Sequence, residues 1–116
     1  RHEIIWYGYK GKNHFWCGDR TQDTIWNIKK DPHSSYVHPT QKPVALSHRA
    51  ILNSSRLGSV VLDGFLGGGG TLLAAEQTGR VCYGIELDPA YCDVIVERWE
   101  GMTGERAEKI DSSNGD

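Results

Sequence analysis

The sequence predicts an α/β fold, and three neighbouring features carry that expectation. Ser59-Val60-Val61-Leu62 is a short apolar, β-branched run, the pattern of a buried parallel strand. Four glycines, residues 67–70, follow it closely, and Thr71 to Thr78 is then rich in Leu and Ala, a helix pattern. Val81-Cys82-Tyr83-Gly84-Ile85 resumes as a second strand, so the unit reads strand, glycine loop, helix, strand. Four consecutive glycines cost much backbone entropy on ordering, and a bare turn needs one or two. A bulky or anionic group is therefore expected against that loop, facing its amides and the helix N-terminus.

The remaining elements follow in chain order. Trp6, Trp16 and Trp26 are evenly spaced, but their contexts (IIWYGYK, HFWCGDR, TIWNIKK) differ, so they do not mark a repeat. Each stretch is aromatic and β-branched, which predicts three short strands over 1–28, beginning with a hairpin through Gly11-Lys12-Asn13. Cross-strand packing is the expected use of these rings, ahead of stacking on bases. The run "KKDPHSSYVHPTQ", 29–41, holds two prolines and reads as a long loop of the kind that carries function. Pro43 opens a helix at a first-turn position, with Val44, Ala45, Ile51 and Leu52 on one apolar face. Gly58 separates that helix from the Ser59 strand, and Gly79 is the expected C-cap of the helix after the glycines. The last helix starts behind Asp88-Pro89, a cap and first residue. Tyr91, Val94, Ile95 and Trp99 follow at helical spacing and read as core, and Gly101 and Gly104 end the helix. Residues 105–116 are polar, and a flexible tail is expected there.

Length and composition bound the function. A chain of 116 residues makes one small domain, and its only methionine is Met102, so Arg1 is not a translation start and the chain reads as a piece of a longer protein. No membrane span or signal peptide is present in the sequence. Cys17, Cys82 and Cys92 are odd in number and lack C-x-x-C pairing, which fits a reduced, cytoplasmic setting. The five histidines are scattered, and no metal site is expected. The net charge of −2 conceals an asymmetry: residues 1–56 carry nine Lys/Arg and four Asp/Glu, whereas 57–116 carry four and eleven. The basic half suits phosphates, although such a bias is also common on solvated faces.

Glu86 closes the second strand, 23 positions after Asp63. Nucleotide-binding βαβ units place a carboxylate at about that separation to accept two ribose hydroxyls. The dinucleotide pattern G-x-G-x-x-G would need glycine where Leu72 stands, and no lysine of a phosphate loop follows. A nucleoside site is the expectation.

Three segments in this order, "HPTQKPVAL" (38–46), "VLDGFLGGGGTLLAAEQTGR" (61–80) and "CYGIELDPAYCDVIVERW" (82–99), resemble the C-terminal half of an amino-group DNA methyltransferase. The branch is the one whose catalytic region precedes its cofactor region, and the likeness runs from about residue 2 to residue 104, since "HEIIWYGYKG" and "TIWNI" resemble its later strands. The resemblance implies a fragment of a Rossmann-like sheet that binds S-adenosylmethionine, with 1–28 as strands, 29–41 as loop and 42–104 as the cofactor-binding part. The family's D-x-F-x-G-x-G loop maps to Asp63, Phe65, Gly67 and Gly69, and Thr71 falls where a hydroxyl residue begins the helix. Glu86 maps to the ribose acid and Asp88 lies near the adenine edge. Thr40, Gln41, Lys42 and Pro43 close over the cofactor, with Lys42 toward its carboxylate. Gly64, Gly68 and Gly70 depart from the Pro, Ser and Thr common in the family, which loosens the loop. Gly69→Val is expected to block the ligand while leaving the fold intact.

The resemblance also implies an Asp/Asn-Pro-Pro-aromatic tetrad that holds the target amine and stacks on the flipped base. These 116 residues do not contain it; Asp88-Pro89-Ala90-Tyr91 and Asp31-Pro32-His33-Ser34 only approach it. In this branch the tetrad lies upstream, so catalytic residues are expected before Arg1, and the chain alone is expected to be inactive. The whole protein is expected to methylate the amino group of adenine in double-stranded DNA. The fragment's partners are then DNA and the missing N-terminal half, with self-association through exposed apolar strands. Cytosine as the target and a catalytically silent cofactor-binding module are the alternatives. A nucleotide-dependent oxidoreductase is disfavoured by Leu72 and by the H-P-T-Q-K-P segment.

Overall fold

The computed structural model describes residues 3–12, 14–30 and 42–110. Five elements follow in the order α1 (Val44–Ser54), β1 (Val60–Asp63), α2 (Gly70–Gln77), β2 (Val81–Gly84) and α3 (Pro89–Thr103). The strands are parallel, in the register Val60↔Val81, Val61↔Cys82, Leu62↔Tyr83 and Asp63↔Gly84. The βαβ unit is therefore present, its strands one or two residues from the sequence expectation.

Alternation of side chains across the strands divides the sheet into two unlike faces. Val61 and Cys82 pack with Val44 against a small core of Ile51 from α1 and Ala74 and Ala75 from α2. Ala at both α2 positions lets the helix lie close to the sheet, and both are fully buried. The opposite face carries Val60, Leu62, Val81 and Tyr83, which are exposed. The expectation of a buried strand is thus met only in part: Val61 and Cys82 on one face are partly buried, and the other face is exposed. A parallel sheet is ordinarily covered on both faces, whereas the core described here lies on one.

Helix ends follow their local chemistry. Asp88 caps α3, its Oδ1 accepting from the Ala90 amide (2.9 Å), with Pro89 as first residue. Gly104 ends α3 in the left-handed region (φ 75°), while Gly101 stays inside the helix. Pro43 is the N-cap of α1 (φ −58°, ψ 138°), one position before the first-turn place expected for it. Proline has no backbone N–H to leave unpaired at a helix start, so it is tolerated there. Gly79 (φ 74°) follows the Thr78 C-cap of α2.

Residues 3–12 and 14–30 form no strand, which corrects the three strands expected over 1–28. A strand exists only with a hydrogen-bonded neighbour, and no ladder forms among these residues. The hairpin register is nevertheless visible in the side chains. Tyr7 meets Trp16 edge-on with centroids 5.6 Å apart, and Tyr9 stacks on His14 at 4.6 Å. Both pairs are those of a hairpin turning at Gly11-Lys12, and Gly11 has φ +90°. The segment is anchored to α1 by a reciprocal amide pair: Gln22 Nε2 donates to Asn53 Oδ1 (2.7 Å), and Asn53 Nδ2 to Gln22 Oε1 (3.1 Å). Asn53 is 2% exposed, and its carbonyl accepts from the Cys17 amide (2.7 Å).

Candidate functional site

The glycine loop leaves the C-terminal end of β1 and folds back over the end of β2. Asp63 Oδ1 accepts from the Phe65 amide (2.9 Å), which starts the turn. The Leu66 amide donates to the Ile85 carbonyl (2.9 Å), and the Ile85 amide to that of Asp63 (2.9 Å). Leu66 then lies on Gly84, where an added Cβ would collide with Leu66 Cδ1. A glycine inside a strand marks such a close approach, so Gly84 was the available signal for this contact.

Gly67 (φ 55°) and Gly69 (φ 87°) are left-handed, so two of the four consecutive glycines are required by conformation. The closest neighbour of Gly69 is a side chain: a Cβ there would stand 3.1 Å from both Ile95 Cγ1 and Cγ2. This corrects the expectation for Gly69→Val. The group that approaches Gly69 is α3 of the same chain, so the substitution strains the fold itself. Gly70 has ordinary contacts only, the nearest being the Lys42 carbonyl at 3.8 Å.

Glu86 ties the glycine loop to the start of α3. Its Oε1 accepts from the Gly67 amide (2.7 Å) and its Oε2 from the Asp88 amide (2.9 Å). Each carboxylate oxygen retains a further lone pair for a hydroxyl. The amides of Gly70, Thr71 and Leu72, in the first turn of α2, have no hydrogen-bond partner among the described residues. The structure thus brings Gly67 and Glu86 together, with the Lys42 carbonyl near Gly70, whereas Gly69 faces Ile95 and Thr71 lies in the first turn of α2.

Other predicted positions stand differently. Phe65 is 92% exposed, and Asp63 serves the turn. The Asp88 carboxylate is engaged as the α3 cap, so Asp88-Pro89-Ala90-Tyr91 is a helix start. Lys42 Nζ pairs with Glu3 (2.7 Å), both side chains being exposed. Thr40, Gln41 and the Asp31–Ser34 segment lie outside the described residues. Sequence reasoning missed Arg98, whose Nη1 donates to the Gly68 carbonyl from α3. Cys82, on the core face beside β1, has its thiol pushed above its ordinary value, first by burial and then by the Asp63 charge. A groove of about 550 Å³, lined by Arg49, Asn53, Arg56 and Arg80 among others, lies near the N-terminal ends of the strands, away from the loop.

Parallel strands, a glycine turn into a helix N-terminus and a carboxylate after the second strand make this an α/β protein of the Rossmann-like kind. Residues 3–97 match a family model described as DNA methylase, of the amino-methyltransferase type that modifies N6 or N4. The chain belongs to that family. It is 37% identical over 84 residues to the Type II methyltransferase M.Cfr9I of Citrobacter freundii, covering 72% of this chain and 28% of that protein. It is 34% identical over 100 residues to the Type II methyltransferase M.HinfI of Haemophilus influenzae, covering 79% and 28%. Among solved structures, the M1.HpyAVI–SAM complex matches with a TM-score of 0.60 and 27% identity, over 72% of this chain and 44% of that one. The chain therefore spans less than a third of the length of these two relatives.

Proposed function

We propose that this chain is the cofactor-binding part of a DNA methyltransferase that uses S-adenosylmethionine to methylate the exocyclic amino group of adenine. The observation that carries the reading is that Glu86, the Gly67–Thr71 loop and the first α2 amides, which have no partner among the described residues, lie at one end of the parallel strands. The family membership and the likeness to a complex with SAM support the choice of cofactor.

The donor set fits such a molecule. Glu86 accepts the two ribose hydroxyls on the lone pairs left by its backbone bonds. The loop and the first turn of α2 present N–H groups to the methionine portion, with Thr71 as a hydroxyl donor. Lys42, Pro43, Thr40 and Gln41 close that side in the family pattern. Asp88 stands toward the adenine edge through its backbone, since its carboxylate caps α3. When bound, the cofactor supplies an electrophilic methyl sulfonium. The residues of this chain bind and orient it, and an Asp/Asn-Pro-Pro-aromatic tetrad outside these 116 residues holds the amine.

The test follows labelled methyl transfer from S-adenosylmethionine to mixed-sequence DNA by the full reading frame, with digestion to nucleosides. N6-methyladenine is the expected product. N4-methylcytosine would overturn the base assignment, and a protein that binds cofactor without transfer would be the silent module.

A further inference from the structure

We propose that Arg98 is a positioning residue for cofactor binding, acting with Glu86 as a two-sided clamp that orders the glycine loop before any ligand arrives. The inference rests on the proposed cofactor site. Three successive glycines of the loop are each held by a side chain from outside it. Glu86 accepts from the Gly67 amide, the Arg98 guanidinium donates to the Gly68 carbonyl, and Ile95 packs on Gly69. The two polar grips have opposite charge and act on opposite ends of the local backbone, an N–H and a C=O. Charge-assisted bonds are stronger than neutral ones, and both grips are at least partly shielded from water.

The loop needs such a device because of its composition. Residues 67–70 lack the side chains that would restrict their own φ and ψ, so their free state is broad. A ligand that requires one loop conformation loses affinity in proportion to the fraction of molecules that hold it. Arg98 and Ile95 are separated by three positions on α3 and therefore share a face, so one helix delivers both contacts. Asp88 fixes the start of that helix and stands two residues after Glu86, which ties the two sides of the clamp together.

The experiment measures amide hydrogen exchange in the ligand-free chain, with calorimetric titration of S-adenosylhomocysteine, for wild type, Arg98→Met and Arg98→Lys. In Arg98→Met the Leu66, Gly67 and Gly69 amides should exchange about tenfold faster or more, while those within α2 and β2 keep their protection. S-adenosylhomocysteine affinity should fall by about the same factor, and Arg98→Lys, which keeps a charged donor, should recover part of both effects. Wild-type loop exchange in Arg98→Met would overturn the clamp. Loss of protection throughout α2 and β2 would also overturn it, making Arg98 a general stabiliser of the fold. If the wild-type chain does not bind S-adenosylhomocysteine, the cofactor reading fails, while the ligand-free exchange still decides the clamp.

Discussion

Gly69 and Gly64 lie five residues apart, yet they face different physical demands. Gly69 is left-handed and meets Ile95, whereas a Cβ at Gly64 would find nothing within 4 Å. An L-residue in the left-handed region costs ~1–2 kcal/mol, and overpacking against Ile95 adds ~1–3 kcal/mol. Gly69→Val should therefore lower stability by several kcal/mol in chemical denaturation, and Gly64→Ala should stay within about 0.5 kcal/mol of wild type. Equal stabilities would remove Ile95 as the reason for glycine at 69. At Cys82, the folded thiol titrates above its ordinary value, so the sign is that of a group whose neutral form the fold favours. That contribution is complete below the ordinary value of 9.0 and is lost as pH rises through the higher folded value. Cys82→Ala should flatten the alkaline limb of the stability profile. Alkylation mapped by mass spectrometry should modify exposed Cys17 before Cys82.

Helix α3 joins two tasks that its sequence alone would separate. Its first turn is capped by Asp88, and its second and third turns supply Ile95 and Arg98 to the glycine loop. Asp88→Ala should destabilise the chain by ~1 kcal/mol, the usual cost of losing an N-cap. Because the cap sets the start of α3, the same change should loosen the loop amides in hydrogen exchange. Undisturbed loop exchange would show that Ile95 and Arg98 hold their places independently of the cap. Helix α1 shows the same economy, burying Ile51 toward the sheet and Asn53 toward the Gln22 amide.

At the scale of the whole molecule, the dominant feature is the bare sheet face. Leu62 is 74% and Tyr83 62% exposed, and they are paired neighbours on adjacent strands. Contiguous apolar surface of this kind is unusual on a soluble monomer. The 116-residue chain should associate with rising concentration in sedimentation velocity, and Leu62→Lys with Tyr83→Lys should suppress it. A strictly monomeric wild-type chain would count against that. The same chain should bind S-adenosylhomocysteine yet transfer no methyl group to DNA, because the amine-holding tetrad is absent from its sequence. Methyl transfer by the chain alone, lost on Tyr91→Ala, would instead make the Asp88–Tyr91 segment catalytic.

The order of elements from Pro43 onward was legible in the sequence because each signal there is local. A β-branched run, a glycine turn, an Ala/Leu helix and an Asp-Pro cap act over a few residues, and no distant partner is needed to read them. The same holds for the position of Glu86, two residues past the end of β2, as Asp63 is the last residue of β1. The strands expected over 1–28 are absent from the described residues 3–12 and 14–28 because a strand is made by its neighbour, and no composition reveals whether that neighbour is present. The purpose of the glycines was only half legible for a related reason. Their number pointed to close approach, but the approaching group could be ligand or protein. Ile95 at Gly69, Arg98 at Gly68 and Leu66 at Gly84 are contacts over distances of 18 to 30 residues. Local propensity decided what this chain builds; tertiary packing decided what presses on the loop, since contacts between distant residues exist only once the elements have docked.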